Sequence, residues 1–410
     1  MSSTESQTNL WLSRFREHLQ EESYSPGVVR NYPFAISLFL DELAQRGQAL
    51  ESISPADVDS HLLRLGEHRH QGPFCEGTRR RHRAAIRMLL RLVHGQWPPA
   101  VVHDTERLPA DQEMVDSFDA WMKELRGLSP STRQHRRAEA FRLIEWLHAQ
   151  GKPIESVTVA DLDAYITWRG TSLRRTSVAD LVSNLRGLLR YLHGNGDLPL
   201  DLSGAIKGPK IHALEGIPST IQPEAIAHAL DALKQDHTAF GRRDFAIWML
   251  LTTYGLRAGE VIGLELSDID WRHENLRIRH AKTGAYSTLP LLREPADALF
   301  DYLRHARPAS SDRAVFLRAQ APHRALRSST TLHGIVTRRL AAVGVFPAGK
   351  HGAHLLRHSR AVSLLRRGVP LKVIGDILGH RAERSTAPYL KLATEDLRSV
   401  ALDLPTGVAS

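Results

Sequence analysis

The stretch His354-Leu355-Leu356-Arg357-His358-Ser359 is followed by Leu378-Gly379-His380, with Tyr389 nine residues beyond that last histidine. Reading outward toward the N-terminus, the next polar motif is a lone lysine, Lys282, between the runs Asn275 to His280 and Ser287 to Leu292. Those runs are strand-like, and Lys282-Thr283-Gly284-Ala285 joins them, so a β-hairpin is predicted with the lysine at its tip. Further upstream stands Tyr254-Gly255-Leu256-Arg257-Ala258-Gly259-Glu260, at the end of a helical stretch beginning near Phe245. Helical pattern resumes from Leu299, so the last third reads as mixed α and β.

In order and spacing these motifs resemble the tyrosine recombinase (phage integrase) family, over about Ile217 to Leu402. The resemblance implies an enzyme that breaks and rejoins double-stranded DNA at recombination sites through a 3′-phosphotyrosine, and it implies four protomers on two sites. The residue types fit that chemistry on physical grounds. A transferring phosphoryl group spreads charge over its non-bridging oxygens, so catalysis is mainly positioning and electrostatic stabilisation. Two guanidiniums, Arg257 and Arg357, suit this because each is permanently charged and forked. Tyr389 is the expected nucleophile; a phenol with pKa near 10 needs cations and a base beside it, and His354 is the candidate proton acceptor. Lys282 is the candidate acid for the leaving 5′ oxygen. It is the only lysine between Lys234 and Lys350, in a chain that otherwise favours arginine. His380 is expected to hydrogen-bond the scissile phosphate, and Glu260, three residues after Arg257, to orient that arginine. His358 reads as structural. Pro388 departs from a simple helical setting for the nucleophile, because proline disfavours helix at Ala387.

The rest of the chain is built on a repeat. Ser25-Pro26 recurs 104 positions later as Ser129-Pro130, and the same offset relates Leu43 to Leu147, Gly47 to Gly151, and Glu51-Ser52-Ile53 to Glu155-Ser156-Val157. It also relates Ala56-Asp57-Val58-Asp59 to Ala160-Asp161-Leu162-Asp163; after a length change, Arg87, Leu90, Arg91 and His94 match Arg186, Leu189, Arg190 and His193. Each copy reads as a small helical bundle with a helix from the Ser-Pro to the glycine. Phe118, Trp121, Met122 and Leu125, then Phe141, Ile144, Leu147 and His148, are the expected core stripes of the second copy. Arginines crowd the other faces: Arg79, Arg80, Arg81, Arg83 and Arg87 in one, Arg133, Arg136, Arg137 and Arg142 in the other. Clusters at equivalent places in two copies point to phosphate contacts, with Arg79, Arg80, Arg83, Arg133, Arg136 and Arg137 the candidate DNA-binding set. By resemblance the second copy corresponds to the family's core-binding domain; the first is an addition that binds DNA or protein.

The expected architecture is therefore multidomain and mainly α. Two repeated helical (SAM-like core-binding) bundles occupy 8–100 and 111–196, a Gly/Pro-dense linker 197–216, and an α+β tyrosine-recombinase catalytic domain with a small β-sheet 217–404. Lysine plus arginine number 54 against 45 acidic residues, for a net charge of +9, which favours a polyanionic partner. The single cysteine, Cys75, excludes an internal disulfide or a cysteine-cluster metal site. His68, His70 and His82 lack a helix-spaced acidic partner and read as solvated or phosphate-facing. No metal and no cofactor are expected: transesterification conserves the phosphodiester, and no carboxylate cluster or phosphate-binding glycine loop is visible. The polar first ten residues and the lack of a long apolar run predict a cytoplasmic, nucleoid-associated protein and no membrane partner. Two rival readings remain, a type IB topoisomerase-like relaxing enzyme and a non-catalytic DNA-binding accessory protein. Homo-oligomers, or hetero-oligomers with related recombinases, both fit, as do integration, excision, transposition and dimer resolution. The mixed pattern of Lys391 to Leu404 suggests docking on a neighbouring protomer.

Overall fold

The repeat is carried by its helix ends. A computed structural model describes residues 3–65, 76–98, 109–211, 220–280, 284–347 and 352–379. In the first bundle α1 (Ser3–Glu21), α2 (Pro26–Arg46), α3 (Pro55–Arg64) and α4 (Glu76–His94) follow one another. In the second, α5 (Pro109–Glu124), α6 (Pro130–Ala149), α7 (Val159–Gly170) and α8 (Arg175–Asn195) repeat the plan. Ser25 and Ser129 stand before the first prolines of α2 and α6, where a missing N–H costs nothing. Gly47 and Gly151 sit in the left-handed region after the same two helices. Ser54 and Thr158 open α3 and α7 with the same reciprocal cap. Each hydroxyl accepts from the backbone N–H three residues on, 3.3 Å, and each Asp side chain, Asp57 or Asp161, accepts in return from the capping residue's N–H.

Each bundle has its own core. In the first, Phe15, Leu19, Ile36, Phe39, Ile86, Leu89 and Leu90 are fully buried. His82 lies on that same face of α4, buried with Ala85 and Ile86, so the solvated reading of His82 is corrected: its place in the 3.6-residue stripe overrides its polarity. His68, His70 and Cys75 lie outside the described residues. In the second bundle Phe118, Met122, Phe141, Ile144 and Leu147 are buried as expected, but Leu125 is 74% exposed, because α5 ends at Glu124 and the stripe ends with it. Leu198 and Ile206 also enter this core, so the segment expected as linker packs there at first, and Arg186 donates to the carbonyl of Ile206 at 2.8 Å.

The chain divides into two compact units, Val102–Ile217 and the remainder. In the remainder, the C-terminal part is organised around one helix. After α9 (Pro223–Lys234), α10 (Ala239–Tyr254) carries the continuous run Ala246 to Leu251, buried on every side against α9, α12 and α14. A helix apolar all round belongs in the middle of a layer. Then come α11 (Ala258–Ile262), a three-stranded antiparallel sheet in the order β1 (Ile269–Asp270), β2 (Asn275–Arg279), β3 (Tyr286–Pro290), and α12 (Arg293–His305). The expected hairpin is present, each strand ending one or two residues short of its predicted end, with Arg279 opposite Tyr286 at the turn. Between the helical segments expected from Leu299 onward, 307–328 is irregular: Val315 and Leu317 lie in extended backbone that bonds Leu264 and bridges Ala325. Finally α13 (Ser329–Ala342), α14 (Ala353–Arg366) and α15 (Leu371–Ile377) close the domain.

Candidate active site

Three motifs, the first of them about a hundred residues before the other two, meet at three backbone carbonyls and one carboxylate. Gly255 ends α10 at φ 66°, a region costly for any residue with a Cβ, and a Cβ there would fall 2.7 Å from Leu378. The glycine turns the chain so that its carbonyl accepts from Arg357 Nη1 at 2.7 Å, while Leu378 O accepts from Arg357 Nη2 at 2.5 Å. Arg357, on α14, is only 3% exposed, so its planar fork is fixed between the two segments. Arg257 stands at the start of α11. Its Nη2 donates to the carbonyl of Gly379 at 3.3 Å, beside the expected phosphate ligand His380, and its side chain remains 24% exposed.

Glu260 ties the set together. It is buried, and its carboxylate accepts from the backbone N–H of Arg257 at 2.8 Å, from Arg257 Nη1 at 2.7 Å and from His280 at 2.8 Å, with Arg357 at 4.0 Å. Burial raises the Glu260 pKa, but these hydrogen bonds and the Arg257 charge outweigh it and hold the carboxyl below the usual carboxylate range. The expected orienting role of Glu260 has this geometric support, with Glu260 in the first turn of α11 and Arg257 as its cap. Two guanidiniums therefore share one carboxylate, which leaves a single positive charge uncompensated among them.

His354 lies exposed in the first turn of α14, one helical turn from Arg357, its ring stacked on His358 with centroids 6.1 Å apart. Tyr254 OH donates to Pro290 O and accepts from Leu292 N–H, both at 2.9 Å, which moors α10 to the end of β3. Lys282, His380, Tyr389, Pro388 and the segment 391–404 lie outside the described residues. Sequence reasoning missed His280. Its only signal was adjacency to the Lys282 loop, and among 22 histidines that singles out nothing.

The six candidate DNA-binding arginines divide. Arg133 and Arg137 on α6 pair with Asp119 and Asp116 of α5, and Arg83 with Asp59. Among the described residues Arg79, Arg80 and Arg136 form no ion pair. Arg136 lies against Gly187 of α8, where a Cβ would come 3.0 Å from its Nη1, and burial together with the Arg126 charge lowers its pKa. No helix among the described residues is long and apolar enough to cross a membrane.

The model of the phage integrase family matches residues 220–396, and that of its N-terminal SAM-like domain matches twice, at 12–94 and 115–196. A Sinorhizobium fredii protein named as integrase/recombinase y4rA is 31% identical over 97% of this chain and 94% of its own length. The chain belongs to the phage integrase family. A second S. fredii protein named as an integrase/recombinase, y4gC, is 52% identical over 46% of this chain and 97% of its own length. The XerH site-specific recombinase, solved bound to a palindromic difH substrate after cleavage, superimposes with a TM-score of 0.55 at 14% identity, over 96% of this chain and 94% of that one. That last likeness is one of fold.

Proposed function

We propose that this tyrosine recombinase uses Tyr389 as its nucleophile, on a DNA phosphate held by Arg257, Arg357 and His380. The observation that carries this reading is the meeting of both arginines at the Leu378–Gly379 turn, immediately before His380, with one carboxylate between them. A rigid, partly desolvated pair of guanidiniums with one positive charge uncompensated is suited to an anion whose charge grows on its non-bridging oxygens. The Tyr389 oxygen attacks phosphorus, and the P–O bond to the 5′ oxygen breaks. The phenolic proton passes to His354 and a proton from Lys282 reaches the leaving oxygen, which leaves a 3′-phosphotyrosine and a 5′ hydroxyl. Attack by the 5′ hydroxyl of another strand reverses these steps and rejoins the DNA. Bond type is conserved, so the scheme draws on no nucleotide hydrolysis.

The substrate is taken to be the paired recombination sites of a mobile element, bound by a homotetramer or by a mixed assembly with related recombinases. The likeness to proteins named integrase/recombinase along nearly the whole chain supports recombination over relaxation. Arg80 and Arg136, cations on different bundles without an acidic partner among the described residues, supply backbone contacts outside the centre. The test is a nicked duplex bearing the element end, incubated with wild type and Tyr389→Phe and resolved on a denaturing gel. Wild type alone should become attached to the 3′ phosphate. Attachment of Tyr389→Phe would mean another nucleophile, and binding without attachment by either protein would favour a DNA-binding accessory role.

A further inference from the structure

His280 is the last residue before the loop that carries Lys282, and every polar group it has is engaged. Its backbone N–H donates to Ala285 O at 2.8 Å, and its carbonyl accepts from Gly284 N–H at 2.8 Å, so the residue closes the base of the loop. Its Nδ1 lies 2.8 Å from Glu260 Oε1 and its Nε2 lies 2.7 Å from Ser287 Oγ, across the hairpin. An ionised carboxylate can only accept, so Nδ1 carries a hydrogen toward it, and Nε2 meets a hydroxyl that can either donate or accept. The ring also packs beneath Gly379. That glycine has φ 62°, and a Cβ on it would fall 2.6 Å from His280 Cε1. One imidazole thus touches the hairpin, the carboxylate that aims Arg257, and the turn that precedes His380.

We propose that His280 is a positioning residue that clamps the base of the β2–β3 hairpin to the Arg257–Glu260 pair. The inference rests on the recombinase reading above and on Lys282 acting from that hairpin. Its physical basis is that a cation on a two-stranded ribbon can contribute to one transition state only if the ribbon keeps register with the arginines. A displacement of about 1 Å at such a centre costs up to about a hundredfold in rate. Nothing else among the described residues joins the loop base to Glu260 through a side chain.

The test is a double-mutant cycle on single-turnover cleavage of the nicked duplex at saturating DNA, with His280→Ala made in wild type and in Lys282→Ala. His280→Ala should slow covalent attachment at least about tenfold with DNA affinity unchanged, and less than about twofold further in the Lys282→Ala background. An equal factor in both backgrounds, or no slowing in wild type, overturns the clamp. If His280→Ala melts early, Ser287→Ala and His280→Gln take its place. Each should give a smaller slowing that likewise vanishes without Lys282, and a slowing that persists there overturns the clamp as well. A duplex with sulfur in place of the bridging 5′ oxygen separates the two readings, since a thiolate leaves without a proton. It should restore Lys282→Ala and His280→Ala together. Failure to restore Lys282→Ala removes its acid role, while the cycle still decides the clamp; Lys282→Ala that cleaves as wild type overturns both.

Discussion

At the residue scale the centre depends on groups whose shape cannot be exchanged for charge alone. Arg357 uses two nitrogens of one planar fork to reach Gly255 O and Leu378 O, which lie on different segments. A lysine would keep the charge but place a single point donor on a flexible stem, and it could not span both carbonyls. We expect Arg357→Lys to cleave at least about a hundredfold more slowly than wild type, with the loss in rate and not in DNA affinity. Single-turnover cleavage and a binding titration on the same DNA separate the two; a variant within about threefold of wild type would show that the fork is not needed. Gly255 belongs to the same argument. It is the one residue in that turn whose φ and whose closeness to Leu378 both exclude a side chain, so the motif Tyr254-Gly255-Leu256-Arg257 reads as backbone geometry as much as chemistry.

At the scale of elements, the repeat gives a paired experiment. Ser54 and Thr158 cap equivalent helices with the same geometry, so Ser54→Ala and Thr158→Ala should each lower stability by about 1 kcal/mol, measured by urea denaturation. The copies differ inside. At equivalent positions of α3 and α7, His61 bonds Glu42 and Tyr165 bonds Glu139. Burial lowers the His61 pKa in spite of the carboxylate beside it. For Glu42 burial acts the other way, but hydrogen bonds from His61 and Arg64 prevail and hold it below its ordinary value. Both shifts have the same consequence on acidification. The unfolded chain takes up a proton near the ordinary histidine value of about 6.5 that the folded ring refuses, so this contribution to stability is complete above that value and falls as pH drops through it. The stability advantage of wild type over His61→Gln should therefore shrink between pH 7.5 and 5.5. Parallel stability curves across that interval would show that His61 does not titrate as argued. These internal pairs also mark where the sequence stopped being legible. Caps, glycines and the hairpin were readable because each is a local signal. The burial of His82, the neutralising of Arg133 and Arg137 by α5, the two-residue β1 and the clamp at His280 depend on which helix or strand lies opposite, which no local pattern states.

At the scale of the whole molecule, cations are spread over modules with separate cores while the chemistry is concentrated in one. The order Arg257, Lys282, His354, Arg357, His380, Tyr389 was legible as a resemblance, and the structure brings Arg257 and Arg357 to one turn and sets His354 one helical turn before Arg357 on α14; the placement of Lys282, His380 and Tyr389 follows from the resemblance alone. A net charge of +9 predicts salt-sensitive DNA binding without saying where the charge acts. The ion pairs do narrow it. Arginines paired to Asp59, Asp116 and Asp119 exchange one anion for another when they meet DNA, whereas Arg80 and Arg136 have no carboxylate to give up among the described residues. Each of the latter should account for about one phosphate contact, so Arg80→Ala and Arg136→Ala should each reduce the slope of log K against log salt by about 1. Because the two lie in different bundles with separate cores, the double variant should lose about 2. Cleavage at saturating DNA should stay near the wild-type rate in all three. Arg257→Ala should behave oppositely, keeping the slope within about 1 of wild type while losing the rate, since its contact matters most when charge builds on the phosphate. If the double variant lost no more slope than one single, the two arginines would not be independent phosphate contacts, and the first bundle would be left as a surface for protein and not for DNA.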